Sequence, residues 1–182
     1  MCTSIAMKWG GGYFGRNMDV EYSFGEQVAV TPRWYPLRFW RQPEQAEHFA
    51  LIGMAHVAGG RPLYAEAANE KGLYMAGLNL PGSAWYEPDP PEGCDAVAPY
   101  ELIPWVLGSC ATLAEVKARL ARFRPLGVPL AAGLPLAPLH WHIADRTGAL
   151  VLEATREGVR LYDDPVGVLT NNPPFPFHQL NL

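Results

Sequence analysis

Two blocks of strand-like segments flank one central pair of helical segments, and this order limits the folds that the chain can adopt. Within each block, short apolar runs are separated by glycine, proline or asparagine, which is typical of strands joined by turns. The predicted strands span residues 3–9, 27–31, 49–57, 63–67, 73–78, 139–145, 150–154, 159–162 and 166–169, and the first returns through glycines 10–12 as a hairpin at 13–14. Strands, then helices, then strands predict a layered α+β fold, and 182 residues suit a single domain over 1–182.

The clearest helix is predicted to begin at Thr112, where Thr-Leu-Ala-Glu fits a capping box. Its apolar positions recur at helical spacing and define one buried face: Leu113, Val116, Leu120 and Phe123. A second helix is predicted over residues 99–110, with an interruption at Pro104.

Composition excludes several classes of function. Apolar residues make up 49% of the chain and charged residues 18%, as in a globular protein with a filled core. A net charge of -4 without any lysine or arginine run argues against a nucleic-acid partner. No apolar stretch approaches the roughly 20 residues of a membrane span, so we expect a cytoplasmic protein. Three cysteines are too few for a disulfide scaffold.

Cys2 directly follows the initiator Met1. If Met1 is removed, one residue carries both a thiol nucleophile and a free α-amine. An α-amine titrates at about 7.7 to 8.0, so it can accept the proton of its own thiol near neutral pH. The alternative is a cysteine that stands at this position by chance, and Cys2 alone does not decide between the two.

Arg16 and Asp19 follow the predicted return strand of the first hairpin, which brings both towards Cys2. Asp19 is suited to orient an α-ammonium, and Arg16 to stabilise a thiolate and lower its pKa. A surface ion pair between residues three positions apart is the alternative interpretation.

Three asparagines stand at predicted strand ends: Asn79 after the strand at 73–78, and Asn171 with Asn172 after the strand at 166–169. Side-chain amides at such positions can form an oxyanion hole. Asparagine before proline is also an ordinary turn signal, and this alternative stays open for Asn172.

His140 and His142 are spaced so that they share one face of a strand, where they could bind a metal ion. No third ligand lies nearby in the sequence, and packed structural histidines are the favoured interpretation.

Taken together, these residues resemble the choloylglycine hydrolase family, N-terminal nucleophile hydrolases that include bile salt hydrolases and penicillin V acylases. The resemblance spans the whole chain and rests on eight fragments that occur in the same order as in the family. They are Met-Cys-Thr at 1–3, Tyr-Phe-Gly-Arg-Asn-Met-Asp at 13–19, Thr-Pro-Arg at 31–33, Asn-Glu-Lys-Gly-Leu at 69–73, Ala-Gly-Leu-Asn-Leu-Pro-Gly at 76–82, Tyr-Glu-Leu-Ile-Pro-Trp at 100–105, Leu-His-Trp at 139–141 and Leu-Thr-Asn-Asn-Pro at 169–173.

The resemblance implies an αββα sandwich that hydrolyses a linear amide through a thioester on a cysteine, without metal or organic cofactor. It assigns the following roles: Cys2 as nucleophile with its amine as base, Asp19 and Arg16 as orienting partners, and Asn79 and Asn171 as oxyanion donors, with Asn172 as the fallback. Asparagine at position 79 resembles the bile salt hydrolases, whereas the penicillin V acylases tend to carry tyrosine. Deconjugation of glycine- or taurine-linked bile salts is therefore expected, with a penicillin V acylase activity as the alternative.

Members of the resembled family continue well beyond the position of Leu182 and supply a further catalytic arginine. The expected sandwich is therefore incomplete here, with open sheet edges and apolar faces. A catalytically silent fragment that needs a second chain is the other hypothesis. The expected partners are a small-molecule amide and further copies of the chain in a homo-oligomer.

Overall fold

The computed structural model describes residues 1–8, 11–131, 133 and 135–181. In chain order, the elements are β1 (Thr3–Met7), β2 (Tyr13–Asn17), β3 (Glu26–Thr31), β4 (Leu51–Ala58), β5 (Arg61–Asn69), β6 (Tyr74–Asn79), β7 (Asp95–Val97), a 3₁₀ turn (Pro99–Glu101), α1 (Leu102–Leu107), α2 (Leu113–Leu120), β8 (Phe123–Pro125), β9 (Leu139–Asp145), β10 (Gly148–Thr155), β11 (Gly158–Asp163), β12 (Val168–Leu169) and α3 (Phe175–Leu180).

A seven-stranded sheet in the order β11-β10-β9-β6-β5-β4-β3 forms the centre of the fold, and every neighbouring pair is antiparallel. Its strands alternate between two faces. On β10, for example, Leu150 and Leu152 pack into the larger core cluster, while Val151 joins a second cluster on the other face. This alternation is the expected consequence of a sheet covered on both faces.

Helices α1 and α2 cover one face of this sheet. They supply the fully buried Trp105 and Val116 to the core that also contains Trp141 of β9. The N-cap of α2 is Thr112, whose hydroxyl accepts the backbone N–H of Glu115. Capping of this kind typically stabilises a helix by about 1 kcal/mol.

A three-stranded sheet in the order β12-β1-β2 covers part of the opposite face. Cys2, which precedes β1, packs in a cluster with Leu169 of β12 and with Ala76 and Leu78 of β6. The described residues thus form three layers, one of helices and two of sheets. The fold is α+β, as predicted.

Apolar side chains are exposed on two surfaces of these layers. Ile5 and Met7 alternate with the inward-facing positions of β1 and point to the outer side of the small sheet. Val28, Val30 and Ile52 lie on the face of the large sheet that the small sheet covers elsewhere. Ile52 pairs with Ala68, which is two positions from Glu66 on β5 and therefore on the same face, and Glu66 points towards Arg16 of the small sheet. Open apolar faces were expected from the sequence.

The predicted strands are confirmed with small shifts in their ends, although Trp9 and Gly10 of the first hairpin lie outside the described residues. The predicted helix start at Thr112 is confirmed. Phe123 was wrongly placed on that helix, because α2 ends at Leu120 and Phe123 lies in β8, which pairs with β7 in parallel. The segment 99–110 divides into the 3₁₀ turn and α1, and Pro104 is accommodated in the first turn of α1, where no intrahelical N–H is lost.

Among the helices of the described residues, none combines the length and the apolar character that a bilayer crossing requires.

Candidate active site

The Cys2 thiol is buried at the junction of the two sheets. Its residue is 5% exposed and it forms no disulfide. Strand β1, which begins at the next residue, is hydrogen-bonded on both sides, to β2 and to β12. The start of the chain is therefore held in place, as a nucleophile near a terminus requires.

An asparagine from the other end of the chain binds the Cys2 backbone. The Cys2 N–H donates to Oδ1 of Asn171 at 2.6 Å. The same Asn171 side chain donates from Nδ2 to the backbone oxygen of Asn79 at 2.7 Å. Cys2, Asn171 and Asn79 thus form one connected series of contacts, and Oδ1 of Asn171 orients the Cys2 nitrogen.

The remaining amides of this region differ in what they contact. Nδ2 of Asn172 donates to the backbone oxygen of Pro81 at 2.7 Å, which ties the loop to the turn after β6. The Asn79 side chain is exposed at the end of β6 and forms no hydrogen bond within the described part of the chain. Of the predicted oxyanion donors, Asn79 is therefore the one whose amide is not engaged by protein groups.

Asp19 binds an α-amine, and that amine belongs to Met1. The Met1 ammonium donates to Oδ2 of Asp19 at 2.7 Å, in an exposed position. This hydrogen bond raises the pKa of the amine and lowers the pKa of the Asp19 carboxyl. Asn17 fixes the same backbone: its Oδ1 accepts the N–H of Thr3 at 2.8 Å, and its Nδ2 donates to the Met1 oxygen at 3.3 Å.

Arg16 lies between the two sheets, opposite Ser4 in the β1–β2 register. Its side chain is only 4% exposed, and Nε lies 3.4 Å from Oε2 of Glu66. Nη2 donates to the backbone oxygen of Gly77 at 2.9 Å, while Nη1 has no hydrogen-bond partner among the described residues. Cross-strand neighbours share a face, as do residues two apart on a strand, so Arg16, Ser4 and Cys2 all point into the space between the sheets.

Burial raises the pKa of the Glu66 carboxyl, and the Arg16 cation only partly offsets this. A buried arginine with a spare N–H group is suited to bind an anion such as a thiolate or a substrate carboxylate.

Both strand histidines are fully buried and engaged by protein groups. Nδ1 of His142 lies 2.7 Å from Oγ of Ser4, and its Nε2 lies 3.1 Å from Oδ2 of Asp164. His140 contacts Glu153 and the backbone oxygen of Thr170. Within the described ranges, no group of three or more histidine, cysteine or carboxylate residues is arranged to hold a metal ion.

Sequence reasoning missed Glu66 and Glu153, which pair with Arg16 and His140. Their signal was a single glutamate inside an otherwise apolar strand. A buried carboxylate needs a partner, so each glutamate implied one.

The Cys2 thiol is buried at the start of a strand within stacked sheets, and the Asn171 side chain binds the nitrogen of the same residue. This arrangement defines an N-terminal nucleophile hydrolase fold. The chain belongs to the linear amide C–N hydrolases of the choloylglycine hydrolase family, whose sequence model matches residues 2–182.

The bile salt hydrolase/transferase of Lactiplantibacillus plantarum is 43% identical to this chain over 182 residues, covering 100% of the chain and 56% of the relative. The conjugated bile acid hydrolase of Lactobacillus gasseri is 38% identical over 185 residues, with 100% and 58% covered. The chain thus spans little more than half the length of these curated relatives.

Solved structures show the same fold. The C2A mutant of conjugated bile acid hydrolase from Clostridium perfringens superposes with a TM-score of 0.93 at 36% identity, covering 100% of this chain and 56% of that one. Penicillin V acylase from Agrobacterium tumefaciens shares the fold with a TM-score of 0.76 at 19% identity, covering 99% and 55%.

Proposed function

We propose that this chain carries the nucleophile of an amide hydrolase that removes glycine or taurine from conjugated bile acids. The observation that carries the proposal is the hydrogen bond from the Cys2 nitrogen to Asn171 beside a buried thiol. Family membership and the names of the relatives support bile salts as the substrate class.

The reaction begins once Met1 is removed and the Cys2 nitrogen becomes an amine. Oδ1 of Asn171 accepts one of its N–H groups, so this contact does not occupy the nitrogen lone pair, which stays free to accept the thiol proton. Because an α-amine titrates at about 7.7 to 8.0, a substantial fraction is free near neutral pH. The amine of Cys2 is therefore the general base.

The thiol proton passes to this amine while the sulfur attacks the amide carbonyl carbon. The tetrahedral intermediate collapses as its nitrogen takes the proton back from the ammonium, and glycine or taurine leaves. A thioester remains on Cys2. Water then attacks the thioester with the amine as base, which releases the bile acid and restores the thiol.

Other residues stabilise the charges of these steps. The side-chain amide of Asn79 donates to the oxyanion, and Asn171 contributes by orienting the base. The spare N–H of the buried Arg16 stabilises the thiolate. Asp19, which binds the Met1 amine in this structure, takes up the Cys2 amine once Met1 is removed. Asn172 holds the loop of Asn171 against Pro81.

In the proposed reaction the protein binds the amide substrate and uses neither a metal ion nor an organic cofactor. We also infer that residues 1–182 form the N-terminal part of a single N-terminal nucleophile hydrolase domain, and that the protein has a cytoplasmic location and a homo-oligomeric state. Gel filtration with light scattering checks the last of these.

Penicillin V is the second candidate substrate, because the acylase from Agrobacterium tumefaciens shares the fold. Incubation with glycocholate and with penicillin V, followed by assay of the released products, compares the two. Cys2→Ala should abolish hydrolysis, and Cys94→Ser, a change at a cysteine outside the site, should not. Activity that survives in Cys2→Ala rejects the mechanism.

Intact-mass analysis of the same preparation reports the first residue. If Met1 is retained, the α-amine of Cys2 is blocked and no turnover is expected. Turnover by a chain that keeps Met1 contradicts the assignment of the base.

A further inference from the structure

His140 and Glu153 form a buried pair on the neighbouring strands β9 and β10. Their side chains are 0% and 2% exposed, and Nδ1 of His140 lies 3.0 Å from Oε1 of Glu153. They are the next cross-strand pair in register after Trp141 and Leu152. Both point towards the small sheet, away from the helices that cover the opposite face.

The pair contacts both ends of the segment 170–175. Nε2 of His140 bonds to the backbone oxygen of Thr170 at 2.8 Å. The backbone N–H of Phe175 donates to Oε1 of Glu153 at 2.8 Å. Between these two fixed points lies Asn171, whose side chain holds the Cys2 nitrogen.

The hydrogen-bond partners of His140 and Glu153 indicate where the protons of the pair lie. A carbonyl oxygen only accepts, so Nε2 of His140 carries a hydrogen. Oε1 of Glu153 receives the Phe175 N–H and also faces Nδ1, so one further proton is shared between Nδ1 and Oε1. A neutral amide oxygen at position 153 could accept from both Phe175 and His140 only if both ring nitrogens of His140 carried hydrogens, and the amide would then leave that buried positive charge unbalanced. The carboxylate is therefore specifically suited to this place.

We infer that His140 and Glu153 are positioning residues for Asn171, acting through the two ends of its loop. This inference rests on the proposed function, since it assigns the pair to the same reaction. The buried pair fixes the backbone on either side of Asn171, and Asn171 then fixes the base. Neither His140 nor Glu153 touches the reacting atoms.

Amide hydrogen exchange and steady-state kinetics test the inference on the intact protein with Met1 removed. The variants are Glu153→Ala, Glu153→Gln and the control Leu152→Ala, which removes buried contacts on the helix-covered face of the same strand. In Glu153→Ala, we expect exchange in the segment 170–175 to rise about 10-fold beyond the change in Leu152→Ala. We expect kcat on glycocholate to fall by about 10-fold or more, with KM within about twofold of the wild-type value. A misplaced base weakens stabilisation of the transition state and leaves substrate binding largely unchanged.

Glu153→Gln keeps the shape of the side chain and one of the two contacts, so intermediate values are expected. It also provides the test if Glu153→Ala does not fold. Exchange and kcat in both Glu153 variants that match Leu152→Ala would overturn the inference. If the wild-type protein hydrolyses neither glycocholate nor penicillin V, the proposed function fails, and the exchange of 170–175 alone decides whether the pair holds the loop.

Discussion

Oδ1 of Asn171 accepts the backbone N–H of Cys2 at 2.6 Å, although 169 positions separate the two residues in the sequence. The proposed nucleophile stands at one end of the described chain, and the side chain that binds its nitrogen stands near the other. In the proposed mechanism, the geometry of the base therefore depends on how the loop after β12 is held, and not only on the first strand.

Asn171→Ala removes the acceptor for the Cys2 nitrogen and the link to Asn79. Because the base loses its orientation, we expect kcat to fall by about 100-fold, within the range for loss of a polar active-site group. Asn172→Ala is the matched control: within the described residues its side chain bonds to Pro81 and not to Cys2, so the change loosens the loop but keeps the acceptor, and it should lower kcat far less. Steady-state kinetics on glycocholate measures both. Equal losses in the two variants would contradict the role of Asn171.

Gly167→Ala should destabilise the fold strongly. Gly167 has a φ of +73°, and an added Cβ would lie 2.3 Å from the backbone oxygen of Ala6 on β1. Gly82 has a similar φ of +78°, but a Cβ there meets nothing within 4 Å. Gly82→Ala should thus cost about 1–2 kcal/mol of unfolding free energy for backbone strain alone. Gly167→Ala should cost about 1–3 kcal/mol more for the overlap.

Urea denaturation of the two glycine variants measures this difference. A Gly167→Ala protein as stable as Gly82→Ala would mean that β1 can shift away from β12 without loss.

Asp164 should make the fold sensitive to acid. Burial favours its neutral form, but His142 and the backbone N–H groups of Gly167 and Val166 outweigh burial, and the pKa of Asp164 lies below its ordinary 3.8. The folded state then binds fewer protons than the unfolded state, so this stabilisation is present above pH 3.8 and is lost as the pH falls through the lower folded value.

Thermal melts of the wild type and Asp164→Asn between neutral and acidic pH test this dependence. The stability difference between the two proteins should shrink as the pH falls through the folded pKa. A difference that stays constant over the whole range would refute it.

Asp19→Asn should alter the chemistry of the chain's amine rather than its stability. The hydrogen bond to Asp19 raises the pKa of the Met1 amine above 8.0 and lowers the pKa of the carboxyl below 3.8. Both groups are therefore charged, and the ion pair is formed, at pH values between 3.8 and 8.0. In Met1-retaining protein, Asp19→Asn should lower the amine pKa and speed its acylation at pH 8. Glu21→Gln, a nearby exposed carboxylate, is the control. Unchanged acylation in Asp19→Asn would show that the contact does not persist in solution.

Local sequence patterns were sufficient for most of the fold. Alternating apolar residues between glycine and proline gave the strands, and Thr112 gave the start of α2, because these signals lie within a few residues of the element that they specify. The short β7 and β8 were missed since three residues carry too little periodicity.

The candidate site was only partly predictable. The first hairpin places Arg16 near Cys2 through a turn, which local reasoning can follow. The contacts of Arg16 with Glu66 and of His140 with Thr170 depend on which distant strands become neighbours, and no local pattern specifies that order. The acceptor role of Asn171 depends on the same long-range arrangement.

The space between the two sheets is occupied by charged and imidazole side chains as well as by apolar ones. Arg16 faces Glu66, His142 faces Asp164 and His140 faces Glu153. Loss of one member of such a buried pair typically costs about 3–5 kcal/mol, whereas replacement of both by matched apolar residues can be neutral. For the stability of the fold alone, a substitution in this layer is thus expected to require a matching substitution of its partner, whereas residues of the helix-covered core can be replaced singly by others of similar size. Divergent relatives should keep or lose these partners together.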